Sequence, residues 1–290
     1  SARKNDLADE IVCAARTADS RRVAKELGIV DEAYDNPIDA VKGADLVIFC
    51  TPLGTYGKLA EQVAPALEKG AILTDVGSVK SAVIDAIGPH VPEGVEFVPG
   101  HPVAGTEKSG PAAGFAELFI NRWLILTPCG RASDAAIEKL TAFWAAMGSK
   151  VEIMDADHHD LVLAITSHIP HLIAYNIVGT ADDLEDVTQS EVIKYSAGGF
   201  RDFTRIAASD PTMWRDVFLH NKEAVLEMLG RFTEDLTALQ RAIRRDDGET
   251  LFNIFSRTRA IRRQIIDAGQ ETPEPDFGRT HKSEDAEKKS

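Results

Sequence analysis

The sequence predicts a doubly wound α/β fold, a parallel sheet covered by helices, followed by an all-helical region. Between residues 1 and 153, short apolar runs alternate with stretches of helical period, the pattern of strand–helix–strand units. From Asp155 onward the strand-like runs stop and long helical patterns take over. Glycines and polar residues cluster just after the apolar runs, where an open parallel sheet builds its site.

Strands are expected at 10–14, 45–50, 71–75, 95–99, 123–127 and 150–154, with helices between them at 18–27, 55–67, 80–87 and 133–147. Gly28 and Gly148 follow Leu27 and Met147 at positions suited to a left-handed helix end. Ser133 is placed to cap the helix after it. The later helices are expected at 156–180, 184–197, 211–245 and 248–268. Pro170 should kink or restart the first of these, and Asp210-Pro211 reads as a cap followed by proline in the first turn. The expected domains are therefore 1–153 and 154–269; residues 270–290, rich in Pro, Glu and Lys, form an expected disordered tail. There is no internal repeat.

At 290 residues and 44% hydrophobic content the chain has ample material for two cores. A net charge of −14 argues against a nucleic-acid partner, whose phosphates it would repel. Apolar runs such as Leu46-Val47-Ile48-Phe49-Cys50 are too short to cross a bilayer, and no signal peptide opens the sequence. Cys13, Cys50 and Cys129 lack metal-binding spacing and fit a reducing cytoplasm. The Arg-rich stretches 241–245 and 257–263 read as solvated helix faces.

Two turns concentrate the chemistry. Gly100-His101-Pro102-Val103-Ala104-Gly105-Thr106-Glu107 sets a histidine in a rigid turn after an apolar run. Asp75-Val76-Gly77-Ser78-Val79-Lys80 sets a small hydroxyl residue in another. A histidine with a hydroxyl residue nearby can take a proton from an alcohol, which is half of a dehydrogenation; the other half is a hydride acceptor. A dinucleotide-binding sheet normally opens with a strand and a Gly-rich turn, and none is found here. Residues 1–7 read instead as a helix end leading into the second strand, so the chain is expected to be a fragment or to start late. That strand ends in Ala14-Ala15-Arg16-Thr17 with no carboxylate to bind a ribose 2′-hydroxyl. Arg16 and Thr17 are candidates to hold a 2′-phosphate, which leans the cofactor toward NADP or dual use; the alternative is an ordinary loop arginine.

Together with Ser167-His168-Ile169-Pro170-His171, the run 198–207 and Asp210-Pro211-Thr212-Met213-Trp214, these motifs resemble, in order and spacing, the prephenate/arogenate dehydrogenases over about residues 1–268. The resemblance implies a Rossmann-type domain followed by a helical domain that forms a homodimer. It implies a cytoplasmic oxidoreductase of tyrosine biosynthesis that converts prephenate to 4-hydroxyphenylpyruvate with NAD or NADP. Arogenate, or both cyclohexadienyl substrates, is the alternative.

By resemblance, His101 partners the substrate hydroxyl. Ser78 bonds His101, that hydroxyl or the nicotinamide, or else caps the next helix. His171 contacts the pyruvyl end with His168 behind it, and Arg205 pairs with the ring carboxylate. Gly198 and Gly199 allow close approach. Trp214 walls the pocket or packs the core, and Thr51 and Pro52 lie beside the cofactor. Glu107 and Asp202 are guessed to form a charged network. A metal site using His158 and His159 is not expected, because the carboxylate or thiolate spacing is missing. The absent Gly-rich loop leaves a rival of another class, a catalytically inactive dimeric binding module. A hydroxyacid or imine reductase is disfavoured by the paired His168 and His171.

Overall fold

The computed structural model describes residues 1–105, 108–183 and 198–267; the expectations for Glu107, for a helix at 184–197 and for the tail lie outside them. The chain divides into two compact units, Ser1–Leu229 and Gly230–Ser290.

In the first unit, β1 (Val12–Ala14) pairs in parallel with β2 (Glu32–Tyr34) across the crossover helix α1 (Ala18–Glu26). Gly28 ends this helix at φ +66°, a conformation that favours glycine. The short α2 (Pro37–Val41) follows, with Asn36 as its cap. A second parallel ladder holds β3 (Leu46–Phe49), β4 (Ile72–Asp75) and β5 (Glu96–Phe97), connected by α3 (Tyr56–Val63) and α4 (Lys80–Ile87). β4 is buried on both faces, which explains why Ala71-Ile72-Leu73 is apolar without alternation, and it also buries Thr74 and Asp75. A third ladder runs β6 (Gly100–Pro102), β7 (Trp123–Leu126) and β8 (Lys150–Ile153); β6 is antiparallel to β7, and α5 (Asp134–Ala146) carries the chain from β7 to the parallel β8. One core packs Phe49, Tyr56, Leu73, Val83 and Phe97 with Trp214 and Val217; the other packs Leu124, Leu126, Leu140 and Trp144.

Three elements escape the sequence pattern. β2 and α2 are short and carry little apolar periodicity. β6 places His101 on a strand opposite Ile125, not in the expected turn. Its Gly-His-Pro sequence looks like a turn, and only the ladder with β7 makes it a strand.

The helical part begins with α6 (Ala156–Leu163), passes through a π-helical turn, Ala164–His168, and continues as α7 (Ile169–Asp182). The expected interruption at Pro170 is therefore a local widening just before the proline. By length and mean hydropathy (1.5) the stretch Ala156–Asp182 could cross a membrane. It nevertheless carries buried His159, Asp160 and His168, as a core helix of a folded protein does. α8 (Gly198–Thr204), a 3₁₀ turn (Arg205–Ala208) and α9 (Pro211–His220) complete the packing.

The single helix expected over 211–245 is broken. α9 ends at His220, Asn221 departs from helical geometry at φ −106° and ψ 37°, and α10 (Lys222–Arg244) begins anew. The Asn221 side chain turns inward to bond other buried groups, and this distorts the backbone at that position. In the second unit, the end of α10 and all of α11 (Gly248–Asp267) expose Leu236, Ile243, Phe252, Phe255 and Ile261.

Candidate active site

The site begins at the carboxyl end of β4. Asp75 and Lys80, both fully buried, bracket the turn between them and pair through Asp75 Oδ2 and Lys80 Nζ at 2.5 Å. Asp75 also accepts the Gly77 N–H at 2.7 Å and the Gly100 N–H at 3.1 Å. Lys80 Nζ donates to the Gly100 carbonyl at 2.6 Å. The ion pair thus holds both backbone groups of Gly100, the residue that precedes His101. A Cβ at Gly100 would stand 3.2 Å from the Asp75 carbonyl, so the close approach needs glycine. Burial pushes the Asp75 carboxyl up and the Lys80 ammonium down, each opposed by the partner's charge.

His101 is buried, and its Nδ1 lies 2.8 Å from Nε2 of His159 on α6. Nδ1 of His159 lies 2.8 Å from Asp160 Oδ1. The Asp160 carboxylate accepts the N–H groups of Lys80 (2.7 Å) and Ser81 (2.9 Å) at the start of α4. Val79 occupies the cap position of α4 and has no side-chain acceptor, so a carboxylate from α6 does the capping. The capping role considered for Ser78 is thereby corrected. Ser78 is half-buried in the turn, and its hydroxyl is not the partner of His101 Nδ1.

Asn221 Nδ2 donates to the Asp160 carbonyl (2.8 Å) and lies 3.1 Å from His168 Nδ1. His168 Nε2 is buried and makes no hydrogen bond. Trp214 joins the two other histidines. Its ring stacks on His171 at 3.6 Å and 22°, and His168 meets it edge-on at 6.0 Å. His168 and His171 therefore share a face, as their spacing implied, and Trp214 is a core residue. His171 Nδ1 donates to the Ser167 carbonyl at 2.9 Å.

Burial lowers the pKa of all four histidines. His101 falls well below the ordinary value, with the charges of His159, Lys80 and His168 acting in the same direction. His159 falls despite Asp160, and His168 falls to about 4. His171 is lowered by burial and further by the charge of Arg205, which lies on the 3₁₀ turn. For Asp160, hydrogen bonds from His159 and the α4 amides outweigh burial and keep it below the usual carboxylate range.

Other expected residues stand apart from this cluster. A Cβ on Gly199 would meet no protein atom within 4 Å, and one on Gly198 only the tips of Arg201 and Asp202 at 3.8 Å. Asp202 pairs with Arg201 on the surface at 3.1 Å. At the strand ends, the Thr51 and Thr55 hydroxyls pair at 2.8 Å beside Pro52. The Thr17 hydroxyl is committed to Ser20 as the cap of α1, and Arg21 ties the loop through the carbonyls of Ala15 (2.6 Å) and Arg16. The exposed Arg16 guanidinium has no partner among the described residues. Arg16, Thr51 and Pro52 lie just after β1 and β3, at the carboxyl ends of the strands; no Gly-rich phosphate turn precedes β1 among the described residues.

His159, Asp160, Asp75, Lys80 and Asn221 were not singled out as site residues by the sequence. The run Asp157-His158-His159-Asp160 at a helix start was the available signal. Both ring nitrogens of His159 are engaged, by His101 and Asp160.

The family model described as prephenate dehydrogenase, nucleotide-binding domain, matches residues 2–153, and that of the prephenate dehydrogenase dimerization domain matches 155–257. The chain belongs to the prephenate dehydrogenase family. It is 43% identical over 239 residues to the cyclohexadienyl dehydrogenase of Zymomonas mobilis, covering 82% of this chain and 81% of that one. It is 36% identical over 240 residues to the prephenate dehydrogenase of Bacillus subtilis, covering 82% of this chain and 64% of that longer one. The solved prephenate dehydrogenase of A. aeolicus, in complex with hydroxyphenyl propionate and NAD+, superimposes with a TM-score of 0.80 at 33% identity, covering 91% and 92% of the two chains. The fold expected from the sequence, Rossmann-type parallel strands followed by a helical region, is the fold found.

Proposed function

We propose that this chain is an NAD(P)-dependent oxidoreductase that oxidatively decarboxylates prephenate to 4-hydroxyphenylpyruvate. The observation that carries this is His101, buried, neutral near pH 7 and held by its Nδ1, with Nε2 as its second ring nitrogen. Membership of the family and the relatives' names support it. They lend no support to an inactive binding module.

The proposed chemistry follows from these groups. Nε2 of His101 takes the proton of the ring hydroxyl while the carbinol hydride departs, and the oxygen keeps the O–H electron pair to form the carbonyl. Bound nicotinamide supplies the hydride acceptor. Loss of the ring carboxylate as carbon dioxide leaves its bonding pair in the ring, the carbonyl π pair moves onto the oxygen, and the resulting aromatic phenolate takes back the proton from His101 to give 4-hydroxyphenylpyruvate. Arg205 pairs with that carboxylate by a bidentate contact that binds and orients. His171, its ring fixed against Trp214, faces the pyruvyl end, with His168 beside it. Ser78 would hydrogen-bond the substrate hydroxyl or the nicotinamide. Thr51, Pro52, Arg16 and Thr17 hold the cofactor, with Gly198 at the substrate pocket. Arg16, without a side-chain partner among the described residues, supports NADP or dual use; Thr17, busy as a cap, adds less.

Residues 1–153 then serve the dinucleotide and 154–269 the substrate and a homodimer. The exposed apolar side chains of α11 and the dimerization-domain match favour such a partner. The free thiols Cys13, Cys50 and Cys129 fit a cytoplasmic enzyme.

The name of the Zymomonas relative favours a second reading, in which arogenate is also oxidised. The test is reduction of NAD or NADP with prephenate or arogenate, measured by the near-ultraviolet absorbance of reduced nicotinamide. It is run on this chain and on the complete reading frame of its gene. Prephenate-dependent reduction with release of 4-hydroxyphenylpyruvate is expected. Binding of both ligands without turnover in either form would overturn the proposal.

A further inference from the structure

We infer that His159 and Asp160 are positioning residues that form a proton relay behind His101, fixing its tautomer and taking over the charge it acquires. This rests on the proposed role of His101 as the base.

The hydrogen bonds determine the tautomers in sequence. The Asp160 carboxylate accepts from the Lys80 and Ser81 amides and, like any carboxylate ion, offers no proton. His159 Nδ1 must therefore donate to Asp160 Oδ1 across their 2.8 Å contact. Neutral His159 then carries a lone pair on Nε2, so His101 Nδ1 must donate across the next 2.8 Å contact. A neutral histidine has a single ring proton; with that proton on Nδ1, Nε2 of His101 is left as the lone-pair base that the reaction needs.

When Nε2 takes the substrate proton, the Nδ1 proton can pass to His159 Nε2. The result is neutral His101 and a His159 imidazolium against the Asp160 carboxylate. No proton is gained or lost in that shift, and the positive charge moves from the reacting centre to an ion pair.

Asp160 is held for this task on three sides. Its two oxygens receive α4 amides, its carbonyl receives Asn221, and Ser81 Oγ bonds the neighbouring Asp157 at 2.9 Å. The other charged or titratable groups acting on the histidine pair are Lys80 and Asp75 on the α4 and β4 side, and His168 from the π turn. Lys80 opposes protonation of both histidines, whereas Asp75 and Asp160 favour it on His159. The resident charges therefore draw a proton toward His159.

The direct test is nitrogen NMR of the histidine-labelled protein with its cofactor. Wild type should show His101 protonated at Nδ1. His159→Gln keeps an acceptor toward His101 and a donor toward Asp160 but cannot take up a proton. His159→Leu keeps neither. His159→Gln should retain the Nδ1–H tautomer and lose about 10-fold in kcat; His159→Leu should lose that tautomer and about 100-fold or more, with KM within about 3-fold in both. The acidic limb of the kcat profile should shift in His159→Leu.

An Nε2–H tautomer in wild type, or wild-type kcat and tautomer in His159→Leu, would overturn the relay. If His159→Leu does not fold, the wild-type tautomer and His159→Gln decide. If His101→Asn itself keeps full activity, the role of His101 fails; if it abolishes kcat while both His159 variants match wild type, the relay alone fails.

Discussion

Replacing Lys80 by Met removes one charge from a pair with no solvent access. Asp75 would keep its Gly77 and Gly100 amide donors but lose the ammonium, and the Gly100 carbonyl would lose a donor as well. Breaking a buried pair from one side costs about 3–5 kcal/mol, because the remaining charge must stay unpaired or be neutralised. Adding Asp75→Asn to the Lys80→Met variant removes that charge while leaving an acceptor for the amides. The double variant should therefore recover about 2 kcal/mol relative to the sum of the two single changes. Urea unfolding of the four proteins under identical conditions measures the cycle. A loss below about 1 kcal/mol for Lys80→Met, or strict additivity in the double variant, would refute the coupling. Because the pair also holds Gly100, Lys80→Met should lower kcat.

Three further outcomes follow from the site. Arg205→Ala should raise KM more than it lowers kcat, since too strong a grip on a departing carboxylate would oppose its loss; a collapse of kcat at unchanged KM, in steady-state kinetics, would contradict this. Gly77→Ala should destabilise the protein by about 1–3 kcal/mol, because the new methyl would stand 2.9 Å from Asp75 Oδ2 and 3.1 Å from Val83 Cγ2; thermal unfolding measures it, and a neutral result would show that the turn can yield. His168 has a folded pKa of about 4 against an ordinary 6.5, so the unfolded chain takes up its proton first as pH falls. Its contribution is full above the ordinary value and is lost toward about pH 4, amounting to about 3 kcal/mol; chemical unfolding across this range should show a shallower slope in His168→Asn, and an unchanged slope would contradict the assignment.

The sequence carried the alternation of strands and helices because apolar runs and local caps are written in neighbouring residues. It also carried His101, His171 and Trp214, whose motifs lie in short contiguous stretches. What it did not carry was assembled across the chain. His101 became a strand residue only through its ladder with β7. Asp160 caps a helix that begins eighty residues before it, and its neighbour His159 reaches His101 across 58 residues. No periodicity encodes such pairings. The break at Asn221 was hidden for the same reason, since the helical pattern runs through it and only the buried acceptors explain the turn. The capping alternative for Ser78 rested on a common local signal, a serine before a helix, while the acceptor came from another element.

The most direct measurement of the central claim compares wild type with His101→Asn, using prephenate and both nicotinamide cofactors. Asparagine keeps a polar side chain of similar size but cannot act as the base. The account predicts prephenate-dependent cofactor reduction by wild type, and in His101→Asn a loss of about 100-fold or more in kcat with cofactor affinity retained. Turnover by His101→Asn at the wild-type rate would contradict it.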